Sequence, residues 1–114
     1  MSFTVLLTDN FKREFKRLFK KFRSLEQELA ELCGQLAENP TEGTLISTLP
    51  NDNKVYKIRL AVKSKGKGKS GGMRVISYTI TLSGNVYLLS IYDKSEKPNI
   101  SDKEIQQLIK DIAV

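Results

Sequence analysis

Between Lys54 and Arg74 stand eight basic side chains (Lys54, Lys57, Arg59, Lys63, Lys65, Lys67, Lys69 and Arg74) and no acidic one. Arginine suits phosphate because its planar fork donates two parallel hydrogen bonds and stays charged at any working pH. Several such cations meeting on one concave face clamp a phosphate that gains charge in a transition state. Tyr92 and Lys94 add a phenol and an ammonium group further along. The pattern points to a polyanion, with RNA the best fit. Cleavage of RNA asks little more of a protein. The ribose 2′-OH attacks its own phosphate, so the protein has only to align that group, move protons and stabilise charge.

The chain has no histidine and a single cysteine, Cys33. The usual metal ligand and the usual acid–base group are therefore missing, and no metal or cofactor is expected. Proton transfer falls to Lys57, Lys94 or Tyr92; a lysine among other cations releases its proton more readily. Gly68-Lys69-Ser70 invites comparison with a nucleotide-binding phosphate loop. That motif requires a glycine where Lys63 stands and a helix where Met73–Leu82 reads as a strand, so the comparison fails.

With 114 residues, 39% of them hydrophobic and 28% charged, one soluble globular domain spanning 1–114 is expected. The net charge of +6 favours an acidic partner. A lone cysteine asks for no oxidising compartment. The N-terminus lacks the pattern of a signal peptide, and the nearly apolar run Val86–Tyr92 is too short to cross a bilayer. A cytoplasmic protein without membrane contact is expected.

The elements that must carry these groups follow from periodicity. Phe3–Leu7 reads as a short strand, bounded by Thr8-Asp9-Asn10, a cluster that ends a strand or caps a helix. Phe11, Phe15, Leu18, Phe19 and Phe22 form one helical stripe. Ser24 with Gln27 reads as a capping box opening a second helix, with stripe Leu25, Leu29, Leu32 and Leu36, stopped by Asn39-Pro40. The first helix is basic and the second acidic, which predicts a hairpin whose flanks attract. The basic helix face could instead meet nucleic acid. Thr41–Asn53 reads as a long surface loop. In Lys54–Val62 the residues Tyr56, Ile58, Leu60 and Val62 alternate with Val55, Lys57, Arg59 and Ala61, so Lys57 and Arg59 face away from the core. Met73–Leu82 and Val86–Lys94 are strands joined at Ser83-Gly84-Asn85. In the last strand Tyr87, Leu89 and Ile91 are expected on one face, and Ser90, Tyr92 and Lys94 on the other. Asp93 and Glu96 could also contribute to proton transfer, but Asp93 falls on the face expected to be buried and is discounted. Ser101 with Glu104 is a second capping box, opening a helix with stripe Ile105, Leu108, Ile109 and Ile112. The expected order is β-α-α-β-β-β-α, an α+β fold with a helical hairpin on a small, mainly antiparallel sheet.

Three ordered motifs carry a family likeness: Lys57-Ile58-Arg59-Leu60-Ala61; Gly66-Lys67-Gly68-Lys69-Ser70-Gly71-Gly72-Met73-Arg74-Val75-Ile76; and Tyr87 through Lys97. Together with Asn39-Pro40-Thr41-Glu42-Gly43 they resemble the RelE/ParE superfamily of bacterial toxins, and its HigB-like branch most. The resemblance implies a fold like that of microbial ribonucleases. It also implies a type II toxin, neutralised by an antitoxin encoded in an adjacent reading frame. RelE- and HigB-like members enter the A site of the small ribosomal subunit and cut mRNA there, leaving a 2′,3′-cyclic phosphate and a 5′-hydroxyl. By motif, Arg59 and Arg74 would stabilise the phosphate, Lys57 or Lys94 would act as base or acid, and Tyr92 would stack on a base or assist proton transfer. Lys54, Lys63, Lys65, Lys67, Lys69 and Lys97 would contact the backbone of rRNA or mRNA. Two other readings are a ParE-like gyrase inhibitor and an inactive RNA-binding module. Retention of Arg59, Arg74, Tyr92 and Lys94 argues against the first.

Overall fold

Thr8 shows how closely local chemistry sets the elements. The computed structural model describes residues 2–66 and 71–112. Strand β1 (Thr4–Leu7) ends at Thr8, whose hydroxyl accepts from the Phe11 amide and caps helix α1 (Asp9–Lys21). Helix α2 (Leu25–Glu38) follows after three residues. Then come β2 (Thr44–Thr48), β3 (Lys54–Leu60), β4 (Met73–Ile80), β5 (Asn85–Asp93) and α3 (Asp102–Ile112). Among the described residues five strands form one sheet in the order β1-β5-β4-β3-β2. β1 runs parallel to β5 and the other neighbours are antiparallel. This is the expected α+β architecture with one added strand.

That strand, β2, lies inside the segment read as a loop. Its turn-forming composition hides a five-residue strand that pairs Thr44 with Lys57 and Thr48 with Lys54. Gly43 admits it. At φ +98 its backbone lies so close to β3 that a Cβ there would stand 2.5 Å from the Lys57 carbonyl oxygen.

The sheet is covered on both faces. Phe11, Leu18, Leu25, Leu32 and Leu36 from α1 and α2 pack on Ile58, Val75, Leu88 and Ile91. On the opposite face Ile105 of α3 joins Val55, Ile76, Tyr78, Leu89 and Tyr92. β5, like β4, supplies both clusters because the sheet is covered on both faces, and its pairing with β4 shifts between Ile76↔Ser90 and Ser77↔Leu88, leaving Leu89 as an extra residue. The bulge breaks the simple alternation read from sequence. Leu89 falls on the face of Tyr92, while Ile91 points to the helix pair.

Two further expectations are corrected. Ser24 makes no side-chain cap to α2. Its hydroxyl instead meets Glu28 Oε1 at 3.1 Å and Ser64 Oγ at 2.7 Å, tying the helix start to the segment after β3. Among the described residues no ion pair joins α1 to α2; Arg17 pairs with Glu96 at 3.1 Å instead. The apolar stripes therefore hold the helix pair, and most of the α1 cations face solvent. The Ser101–Glu104 box forms as read: Ser101 Oγ accepts from the Glu104 amide, and Glu104 Oε1 from the Ser101 amide.

Candidate functional site

Strand register brings the cations together. Arg59 lies opposite Arg74, and Arg74 opposite Tyr92, so the three form one row across β3, β4 and β5. Directly opposed residues share a face of the sheet, and three strands span roughly 10 Å. Lys57 precedes Arg59 by two residues on that face, in the row Lys57–Ile76–Ser90. Lys94 follows Tyr92 by two, and its amide donates to the Gly72 carbonyl at 3.4 Å. Four side chains proposed from sequence thus share one end of one face, and Lys94 stands in the turn just past β5. Below them the same face is apolar and covered by α3.

The row grades from solvent to interior. Arg59 and Lys94 are exposed and Lys57 is half-buried. Arg74 is 4% exposed and Tyr92 3%. The burial of Arg74 corrects the sequence reading, which set it outside the core pattern. β4 is the central strand, and layers on both faces bury everything from Met73 to Thr79. Arg74 Nη1 donates to the Met73 carbonyl at 3.2 Å. The Tyr92 hydroxyl is buried and has no hydrogen-bond partner among the described residues. Burial pushes its pKa above the ordinary phenol value; Arg74 opposes that rise and Glu104 reinforces it. The group is held as a protonated donor beside a guanidinium.

The lysines expected to bind RNA have different fates. Lys63 is exposed, and its amide is held by Glu28 Oε2 at 2.7 Å. Lys54 sits at the far end of β3 with its ammonium 3.4 Å from Asp52. Lys97 contacts Glu104 at 2.6 Å and lies 5.7 Å over the Tyr92 ring. Hydrogen bonds from Lys97 and Ser101 hold the Glu104 carboxyl below its ordinary range. Lys65 is turned inward, its ammonium 2.9 Å from Asp93 and its side chain only 8% exposed. It is not available to a ligand. Lys67 and Lys69 lie outside the described residues.

Sequence reasoning discounted Asp93 and passed over Ser95. Asp93 is indeed buried, but it is also the hub of a small polar cluster. Its Oδ1 accepts from the Ser95 amide at 2.9 Å, from Ser95 Oγ at 2.6 Å and from Lys65. Burial raises the Asp93 pKa, but the bonds from Ser95 and Lys65 outweigh it and hold the carboxyl below its ordinary value. The signal was available, since Asp-x-Ser is the pattern of a side-chain-capped turn. Among the described residues no group of histidine, cysteine and carboxylates could hold a metal ion, and no helix is long and apolar enough to cross a membrane.

A family model for the RelE toxin of the RelE/RelB toxin–antitoxin system matches residues 10–114. The chain belongs to the RelE toxin family. Its fold is similar to that of an E. coli RelE toxin, an arginine-to-alanine double mutant solved in the free state. The TM-score is 0.58 at 18% identity, covering 98% of this chain and 99% of that one. At this identity the structural likeness speaks for the fold. The family match makes this RelE-family chain a type II toxin, with an antitoxin as its implied partner.

Proposed function

We propose that this RelE-family toxin is a ribosome-dependent endoribonuclease that cuts mRNA in the A site of the small subunit. The observation that carries the reading is the row Arg59–Arg74–Tyr92, in which a buried phenol with no hydrogen-bond partner among the described residues adjoins a buried guanidinium. An unsatisfied buried hydroxyl costs a fold about 1–3 kcal/mol, so a site that keeps one gains when a ligand oxygen completes it. A phosphate over this row would receive the Tyr92 hydroxyl and the forks of Arg59 and Arg74. The 2′-OH then attacks the adjacent phosphorus, the 5′-oxygen leaves, and the products are a 2′,3′-cyclic phosphate and a 5′-hydroxyl. Lys57 and Lys94 flank the row from either end and serve as the groups that take and return the proton.

Exposed Lys63 and the α1 cations that form no ion pair among the described residues support an RNA partner, since phosphate contacts give affinity without sequence preference. Lys67 and Lys69 would add to this contact, in a protein acting in the cytoplasm until its antitoxin binds. The test is to induce the wild type, Arg59→Ala and Arg74→Ala in bacteria and map mRNA 5′ ends by primer extension. Gyrase supercoiling is assayed in parallel. Cuts within translated codons, lost in both variants, are expected. Intact mRNA with inhibited supercoiling would replace this reading with gyrase inhibition. Because Arg59 is exposed, its variant stays informative if removal of buried Arg74 disturbs folding.

A further inference from the structure

A second set of polar groups lies on the other side of the sheet from the arginines, at the same end. The row after Arg59–Arg74–Tyr92 is Leu60–Met73–Asp93, whose side chains point the opposite way. There the Lys65 ammonium is 2.9 Å from Asp93 Oδ1, 2.8 Å from the Gly71 carbonyl oxygen and 2.7 Å from Ser95 Oγ. All three ammonium hydrogens can be matched to these acceptors. The ion pair is thoroughly buried, with the two side chains 8% and 3% exposed.

Those acceptors belong to three different stretches of chain. Lys65 leaves the end of β3, Gly71 precedes β4, and Asp93 and Ser95 close β5. The contact therefore joins both ends of the lysine–glycine tract to the turn carrying Lys94 and Lys97. The Asp93 carbonyl also accepts from the Glu96 and Lys97 amides at 3.0 and 2.9 Å, so the turn is wound around this residue. Lys94, between Asp93 and Ser95, has its backbone held on both sides and at its own amide. Helix α2 steadies the first stretch again, through Glu28 to the Lys63 amide and Ser24 to Ser64.

We infer that Lys65 and Asp93 are positioning residues, a buried staple that holds Lys94 and the return to Arg74 in register with Tyr92. The role rests on the proposed RNA cleavage and deepens it, giving one lysine of the basic tract a purpose other than RNA contact. A buried pair is a costly way to gain stability, because desolvating two charges offsets most of their attraction. Its geometric effect is to fix three segments at one point. Removing one partner leaves the other charge buried and the three segments untied.

The experiment uses Lys65→Met, which keeps the length of the side chain and removes its charge, with Lys65→Arg as the conservative variant. Hydrogen exchange is followed over 93–97 and, as an internal control, over the β5 core 86–91. Single-turnover mRNA cleavage is measured on programmed ribosomes. In Lys65→Met, exchange over 93–97 should quicken about tenfold while 86–91 stays protected. Cleavage at saturating ribosome should fall about 10- to 100-fold, with half-saturation little changed, because a misplaced group harms the reaction more than the docking. Lys65→Arg should recover most of both. Unchanged exchange and cleavage in Lys65→Met would overturn the staple, as would equal loss of protection across 86–91 and 93–97, which would mark a purely structural pair. Asp93→Asn, which keeps the size and the Ser95 contact, repeats the test if Lys65→Met does not fold. If the wild type cuts no mRNA, the proposed function fails, and the exchange comparison alone still decides whether the pair ties 93–97.

Discussion

The two faces of the same three strands are built to different ends. Toward α1 and α2, β3–β5 present Ile58, Val75, Leu88 and Ile91, all buried among leucines and phenylalanines. Toward α3 the face is split: Val55, Ile76, Tyr78 and Leu89 close against Ile105, Arg59 and Arg74 occupy the other end, and Tyr92 stands where the two meet. One face maximises apolar burial. The other gives up part of it to keep a guanidinium and an unpartnered phenol under cover. Burial of polar groups without full satisfaction is destabilising, so where a fold sustains it the chemistry of the site is the natural reason.

Adjacent residues on opposite faces test this contrast most sharply. Ile91→Ala should cost about 2–5 kcal/mol of stability in denaturant unfolding while the folded fraction cleaves RNA normally. Its neighbour behaves otherwise. The hydroxyl that Tyr92→Phe removes has no hydrogen-bond partner among the described residues, so the unfolding midpoint should hold or rise, while single-turnover cleavage falls at least about tenfold. Equal stability losses in the two variants would erase the distinction. Arg59→Ala, exposed at the rim, separates rate from stability further. It should leave stability within about 0.5 kcal/mol and lower the cleavage rate about 100- to 1000-fold.

Acid should act on the Asp93 side of the sheet. Because the folded-state pKa of Asp93 lies below its ordinary 3.8, the stability it lends is fully present above that value. It is lost as the pH falls through the lower, folded-state pKa. Unfolding measured from pH 6 downward should show this loss in the wild type and a reduced one in Asp93→Asn. The smallest effect belongs to the solvent side of α1, opposite the stripe that packs on the sheet. Lys16→Gln with Lys20→Gln should not change stability, since neither makes an ion pair among the described residues. The pair should lower the salt slope of ribosome binding by about one per removed phosphate contact.

Much of this was legible residue by residue. Thr8 as a cap, the phenylalanine and leucine stripes, the Ser101–Glu104 box and the outward aim of Lys57 and Arg59 all follow from short-range rules, and all are present in the fold. Four features were not legible. β2 hides in turn-forming residues because its pairing with β3 is set by a partner distant in sequence and by close approach at Gly43. The bulge at Leu89 is a mismatch between two strands and has no mark in either one alone. Ser24 prefers Ser64, forty residues away, to the local cap. The charges of α1 and α2 attract in projection but find no partners across the packed helices.

The Lys57–Arg74 cations and Tyr92 with Lys94 were determined by sequence alone, as was the strand alternation that turns Lys57 and Arg59 away from the helix pair. Residue type and a period of two need no tertiary information. Only the tertiary structure decided that Arg74 is buried, that Tyr92 shares its face, and that Lys65 turns inward to Asp93. Each of these depends on which strand is central, where the register slips and which chain ends meet. Those outcomes are set by long-range packing, because a side chain's burial and partners belong to its neighbours in space.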